Sequence, residues 1–375
     1  MTAGAIAHHR LRNLQIALAT CKQAGEVLLS LGAVQAQDYA SALWAMGLRL
    51  PQATETDIEQ AIADRTIVRT WLMRGTLHFV AAADINWMLK FLTPRTIAQA
   101  ARRNQQLELD ETTFIRCEKV FVRALQGGNQ LTREEMFALL QRDRIAVHSQ
   151  RGYHILWRLA QESILCFGTR QGKRQTFALL DEWVPRGPSL ETDAALTELA
   201  LRYFCGHGPA TLADFVGWAG LKVSEARAGI EMASSRLARE TIEGKVYWMP
   251  PGSPALHLNS SSVYLLPGFD EYILGYQDRS ASLDAQYAQR IVPGGNGIFL
   301  PTIVSNGRVV GTWKRVLKKK SLAIIASPFR ALTKTEKRSC DVAAERYGRF
   351  LDLTSPAKFE VEESIRFERS NSPRQ

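Results

Sequence analysis

The chain has little of what the more demanding enzyme classes require. Its five cysteines, Cys21, Cys117, Cys166, Cys205 and Cys340, are scattered, odd in number and never spaced as CxxC. Neither a disulfide framework nor a zinc site is expected, and the thiols read as reduced, mostly core residues. No run of about 18 apolar residues is present to span a bilayer. The opening MTAGAIAHHRLRNLQ lacks the apolar stretch of a secretory signal, so no membrane partner and a cytoplasmic location are expected. There is no GxxxxGK[ST], since Gly168-Thr-Arg-Gln-Gly172-Lys173 has the wrong spacing. No GxGxxG follows a strand, and neither HExxH nor GxSxG occurs. The seven histidines are scattered. His78, between Leu77 and Phe79, reads as a hydrogen-bonded strand histidine rather than a ligand. Metal-dependent and nucleotide-hydrolysing chemistry is therefore not expected, and no cofactor is called for.

What is there is a folded, basic protein. At 375 residues there is room for roughly two to four domains. A hydrophobic fraction of 46% with 22% charged residues is that of a packed chain rather than a disordered one. Lys plus Arg number 47 against 37 Asp plus Glu, a net charge of +10. That excess favours a polyanionic partner, because lysines and arginines that neutralise phosphates release condensed counterions.

The first three quarters repeat one order: short helices, then a pair of strands around a basic or glycine turn. Residues 55–63 form a helix capped by Thr54 or Thr56, followed by strands at 67–72 and 76–80 around Met73-Arg74-Gly75. Residues 81–92 are again helical and stop near Pro94. In a second unit, 114–125 is an amphipathic helix ending at Gly127-Gly128. Thr132 and Glu135 make a capping box for a helix running to Gln141. A third helix at 150–161 precedes strands at 164–167 and 175–180 around a basic tip, 168–174. The third unit has helices at 193–206, from Thr211 to Trp218, and after a Ser224 cap, with a hairpin at 237–247 around Glu243-Gly244. Helices followed by a hairpin is the order of a winged helix. After Pro250 the chain becomes strand-rich, with Asn306-Gly307 as a two-residue hairpin turn. A basic run from Lys314-Arg315 to Lys318-Lys319-Lys320 follows. A final helix at 335–351 precedes a polar tail from Arg366, expected to be disordered.

The most pointed stretch is Val34-Gln35-Ala36-Gln37-Asp38-Tyr39. In extended backbone, positions i and i+2 face the same way, whereas on a helix they diverge by about 200°. Two neutral amides would then face one object. Glutamine is no general base, but its carbonyl accepts and its NH2 donates. Such a pair suits holding a water or reading a base edge; the other reading is a pair of solvated glutamines at a helix-to-turn junction.

Four stretches occur together and in order. They are residues 33–39 with Leu43-Trp44 and Arg49; Trp71-Leu-Met-Arg-Gly-Thr-Leu-His78; Leu266-Pro-Gly-Phe-Asp-Glu-Tyr272 with Gly275-Tyr276 and Arg279; and Asn296-Gly-Ile-Phe299 with Pro301 and Gly311-Thr-Trp313. In spacing and order they resemble the AlkZ/YcaQ-type winged-helix DNA glycosylases over about residues 10 to 350. The resemblance implies an α+β fold of three tandem winged-helix domains in a C-shaped arrangement plus a C-terminal β-rich domain. The expected boundaries are 1–105, 106–186, 187–255 and 256–375. It also implies removal of alkylated bases of the N7-alkylguanine type from double-stranded DNA, extending to bulky natural-product adducts or interstrand crosslinks. By that resemblance Gln35 and Gln37 are the catalytic pair of the QxQ branch, and Asp38 stands one position beyond the place of the carboxylate in the QxD branch. The protein is expected to be a monomer of the bacterial cytoplasm.

The chemistry is physically reasonable. An N7-alkylated guanine is cationic and already a good leaving group, so orienting a water near C1′ matters more than abstracting its proton. A bulky or crosslinked adduct resists extrusion from the helix, which leads us to expect catalysis within the groove. Candidate phosphate contacts are Arg74 at the first hairpin turn, Arg170, Lys173 and Arg174 at the second, and Lys314 and Arg315 after the C-terminal hairpin; each could equally be a solvated surface charge. Arg49 could partner an acidic group. Asp270-Glu271 could act in catalysis, orient other groups or hold a strand-to-turn corner. The competing class is a non-catalytic winged-helix transcriptional regulator, against which three tandem units lack the two-fold symmetry of palindromic operators.

Overall fold

The computed structural model describes residues 2–185, 187, 189–252, 262–318 and 321–362. The expected boundaries at 186 and 255–256, Lys319, Lys320 and the polar tail from Arg366 lie outside the described residues.

Strand and helix signals organise the first unit. Helix Ala24–Leu31 ends at Gly32, whose φ of 81° turns the chain into β1 (Val34–Gln35). A Cβ on Gly32 would stand 3.2 Å from the Trp218 indole, so the position demands glycine on two counts. Asp38 caps helix Tyr39–Arg49, accepting from the Ser41 amide at 2.7 Å. Thr54 and Asp57 form a capping box for helix Glu55–Ala63. The hairpin β2 (Ile67–Trp71) and β3 (Leu77–Ala81) turns through Arg74 and Gly75, both left-handed at φ 55° and 70°.

The second unit repeats this order with helix Glu111–Leu125, β4 (Leu131–Thr132), helices Arg133–Arg142 and Arg151–Gln161, then β5 (Leu165–Phe167) and β6 (Thr176–Leu179). In each unit the short first strand pairs with the last, β1 with β3 and β4 with β6. The third unit has helices Thr192–His207, Leu212–Ala219 and Val223–Ala233 and the hairpin β7 (Ala238–Ile242) and β8 (Lys245–Met249). There Ala210 bridges Trp248, in the place of the short first strand.

Two expectations need correction. Helix Ile85–Gln99 runs through Pro94 instead of stopping there. Burial of Trp87, Met88, Leu89 and Leu92 outweighs the lost backbone bond, and the Thr93 hydroxyl donates to the carbonyls of Leu89 and Gln161. The helix assigned to a Ser224 cap starts earlier, at Val223, where Glu225 accepts from the Lys222 amide at 2.7 Å.

The hairpins of the first two units are not separate. β2 pairs with β5 through Arg69 and Phe167, joining them into one sheet of order β1-β3-β2-β5-β6-β4. A five-stranded sheet closes the chain: β9 (Val263–Leu266), β10 (Thr302–Ser305), β11 (Arg308–Lys318), β12 (Ser321–Pro328) and β13 (Lys358–Val361), in the order β13-β12-β11-β10-β9. Asn306 and Gly307 turn it at φ 49° and 78°, as their sequence predicts. Helix Lys334–Phe350 packs on β9 and on helix Tyr39–Arg49. One apolar core runs continuously through the first unit, the third unit and the C-terminal sheet. The second unit has its own, centred on Phe114, Phe121, Leu156 and Leu159. The motif segment therefore lies on a strand clamped between elements far apart in sequence. Among the described residues no helix is long and apolar enough to cross a membrane.

Candidate functional site

β1 is two residues long and has few bonds of its own, so its position depends on what grips it. Val34 and Gln35 pair with Phe79 and His78, and the Ala36 amide donates to the Leu77 carbonyl at 2.7 Å. On its other side, the Gln35 amide donates to Glu271 Oε1 at 3.2 Å. The Ala36 carbonyl accepts from Arg69 Nε and Nη2 at 3.1 and 2.8 Å. The Arg69 guanidinium lies over the rings of Phe167 and Tyr39, 4.7 and 5.1 Å from their centroids. Burial pulls its pKa down to about 10, so it keeps its charge at neutral pH.

The side chains of Gln35 and Gln37 both reach the first hairpin turn. Gln35 Nε2 donates to Thr76 Oγ1 at 3.4 Å, and Gln37 Oε1 accepts from the Leu77 amide at 3.3 Å. Gln37 is exposed, while Gln35 is 8% exposed and its Oε1 is buried with no donor among the described residues. A buried amide oxygen with no donor is costly, on the order of 1–3 kcal/mol. Gln35 ends β1, and Gln37 lies in the bend that follows it.

Glu271 is the anchor behind the pair. It is 1% exposed, and its other oxygen accepts from Trp218 Nε1 at 2.9 Å and from His207 Nε2 at 3.2 Å. Burial alone would raise its pKa. The hydrogen bond and charge of His207, with His78 and the Gln35 amide, outweigh that and hold it below the ordinary carboxylate value. Of the three roles open to Asp270-Glu271, the geometry is that of orientation for Glu271 and of a corner for Asp270. Asp270 takes Arg49 in a two-pronged ion pair at 2.9 and 3.2 Å, both residues fully enclosed.

His78 is the strand histidine its context predicts. It is buried, and its Nδ1–H donates to the Thr76 carbonyl at 2.9 Å. Burial lowers its pKa to about 4. The folded protein therefore binds fewer protons at His78 than the unfolded chain between about pH 4 and 6.5. The contribution is present above pH 6.5 and lost as pH falls toward 4. We expect stability to decline across that window by up to about 1.4 kcal/mol per pH unit from this residue. His78→Gln should flatten that part of a urea-midpoint profile against pH; an unchanged slope would assign it to other groups.

The predicted phosphate contacts divide. Arg74 is exposed at the turn beside Thr76, with its guanidinium 3.5 Å from the Gly217 carbonyl. Lys173 and Arg174 are exposed at the second tip, and Arg315 is exposed on β11 with a bond to the Tyr347 hydroxyl at 2.5 Å. Arg170 and Lys314 differ from expectation. Arg170 folds back onto Glu59 at 2.8 Å and over the Tyr39 ring, tying the second tip to the first unit. Lys314 is paired with Glu362 at 2.9 Å, on the face of β11 opposite Arg315. In both, a nearby carboxylate competes with any phosphate. Charge reversal at Lys173 and Arg174 should weaken binding to duplex DNA and flatten its salt dependence, the log–log slope falling by about two. An unchanged slope would remove the tip from the interface.

Sequence reasoning missed Arg69, His207 and Trp218 as supports of the motif. The β2–β3 hairpin sets Arg69 beside β1, and the packing of the third unit brings His207 and Trp218 onto Glu271. Among the described residues no group of three or more His, Cys, Asp or Glu could hold a metal ion.

Comparisons with known proteins bear on the family and the fold. The family model "DNA glycosylase AlkZ-like" matches residues 28–350. The interstrand DNA cross-link repair glycosylase of Streptomyces sahachiroi is 27% identical over 334 residues, covering 83% of this chain and 86% of that protein. The solved structure of Streptomyces sahachiroi DNA glycosylase AlkZ superposes with a TM-score of 0.79 at 21% identity, covering 96% of this chain and 99% of that one, and shows the same α+β fold. The match runs from the helix before β1 to the end of the closing helix, and on that ground the chain belongs to the AlkZ-like DNA glycosylase family.

Proposed function

We propose that the protein hydrolyses the N-glycosidic bond of alkylated purines, of the N7-alkylguanine type, in duplex DNA. A water held by Gln35 and Gln37 would be the nucleophile, with no metal or cofactor, in the manner of a QxQ enzyme. The observation that carries this reading is the buried Gln35 Oε1, at the end of a strand gripped from both sides, with the exposed Gln37 bonded to the same 76–77 segment that Gln35 reaches. An acceptor so placed can orient a water proton while the water's lone pair points outward. The leaving base is already cationic, so orientation suffices and neutral bases are left intact.

The repeated order, with its paired first and last strands, supports reading the first three units as tandem winged helices and the remainder as a β-rich domain, the four together forming a C-shaped cradle. Arg74, Lys173, Arg174 and Arg315 are the phosphate contacts on this reading, with Arg170 and Lys314 secondary. The chain would act as a monomer in the cytoplasm and leave abasic sites for other enzymes. The name of the Streptomyces sahachiroi relative supports extending the substrate range to interstrand crosslinks.

The test is release of 7-methylguanine from a duplex carrying N7-methylguanine. A glycosylase releases the free base; a regulator releases none and instead footprints one undamaged sequence.

A further inference from the structure

Directly after Gln37 the chain borders a recess of about 300 Å³. Asp38 and Ser41 stand at its edge, Trp44, Phe269 and Phe299 give it aromatic walls, and Ile298 and Arg315 lie on its rim. Asp38, the residue after Gln37, lines the recess, while the two glutamine side chains turn to Thr76 and Leu77. A larger cavity, about 490 Å³, lies between the first and second units beside Trp87, Lys90 and Glu118, and none of the motif residues line it.

Three features distinguish the recess from a packing gap. Phe269 is held at φ 61°, a left-handed conformation unfavourable for an aromatic residue, with its ring 6.2 Å from that of Phe299. Strain of this kind persists where the surrounding structure enforces it, commonly at ligand sites. Ile298 is 51% exposed, presenting a large apolar side chain at the mouth. The polar groups at the edge are only partly used. Asp38 Oδ1 accepts from the Ser41 amide, but Oδ2 and the Ser41 hydroxyl make no hydrogen bond to protein among the described residues.

We propose that this recess receives the alkylated purine itself, turned out of the stack, and that Asp38 selects its cationic form. The proposal rests on the glycosylase reading. Aromatic faces attract a cationic ring and suit a planar one. A carboxylate at the edge adds Coulomb attraction and accepts hydrogen bonds from an exocyclic amine. Neutral guanine gains the stacking but not the charge. Arg315 at the rim would meet the phosphate of the displaced nucleotide. A volume of this size lies at the small end of ligand pockets and fits a compact purine, not a large appendage. Catalysis within the groove would then apply to adducts too large to enter.

Binding of free nucleosides separates this from catalysis. The probes are 7-methylguanosine, a cation, and guanosine, which is neutral, each titrated into the full-length protein. The parent should prefer 7-methylguanosine. Asp38→Asn keeps the helix cap, because Asn caps as well as Asp. It should weaken 7-methylguanosine roughly tenfold and leave guanosine unchanged. Phe269→Gly, which removes the ring and relaxes the backbone, should weaken both. Equal binding of 7-methylguanosine by parent and Asp38→Asn overturns the proposal, as does a parent that prefers neither nucleoside. If the same parent still releases 7-methylguanine from duplex DNA, the glycosylase reading stands without the recess. A parent that releases no base overturns that reading, and the assignment of the recess falls with it.

Discussion

Replacing Gln35 and Gln37 together by alanine should lower release of 7-methylguanine from duplex DNA by about 10²–10³-fold, with binding to undamaged duplex unchanged. The magnitude is that of losing orientation rather than a proton-transfer group, since misplacing a reacting atom by about 1 Å already costs roughly 10². The two side chains converge on one turn, Gln35 on the Thr76 hydroxyl and Gln37 on the Leu77 amide. They should therefore behave as a unit, each single variant losing most of what the double variant loses. Fold damage is not expected to mimic the result. The backbone of β1 is held by the Glu271 carboxylate, the Arg69 guanidinium and the β3 ladder, none of which involves the glutamine side chains. Single-turnover release and thermal melting, measured on the same preparations, decide the matter. A double variant that melts like the parent and releases base equally fast would remove the glutamines from the chemistry.

The largest effect on stability is expected at Arg49 and Asp270. Arg49 Nη1 donates to the Ala45 carbonyl at 2.8 Å and Nε to that of Leu14 at 2.9 Å, while Asp270 also accepts from the Tyr272 amide at 2.9 Å. Every group around this enclosed pair is matched. Removing one partner leaves a charge buried with nothing opposite it, at a cost of about 3–5 kcal/mol. Arg49→Met and Asp270→Leu should each lower the urea midpoint by that equivalent. The double variant should lose less than the sum, because neither charge is then stranded. Additive losses would mean that the pair is not coupled. The consequence reaches the site, because Asp270 caps the short helix Glu271–Leu274 from which Glu271 grips β1. Arg49 variants that remain folded should accordingly lose activity even though Arg49 touches no substrate.

Local signals determined much of this protein. The capping boxes at Thr54, Thr132 and Thr211 set helix starts where the sequence put them, because a side chain and an amide three residues apart satisfy each other without help. Asn306-Gly307 turns its hairpin through the left-handed conformations that such residues tolerate, whereas the first hairpin takes one at Arg74 beside Gly75. The side chains of Gln35 and Gln37 both bond to the 76–77 segment, although only Gln35 is in strand and Gln37 lies in the bend after it. Pro94 misled for the complementary reason: a local breaker is overridden when the apolar turns that precede it are buried. What surrounds the glutamines was decided only by tertiary structure. Glu271 reaches Gln35 across 236 residues, and Arg170 spends its charge on Glu59 instead of solvent. Such contacts leave no periodicity in the sequence, because their partners meet only when separate units share one core and one sheet.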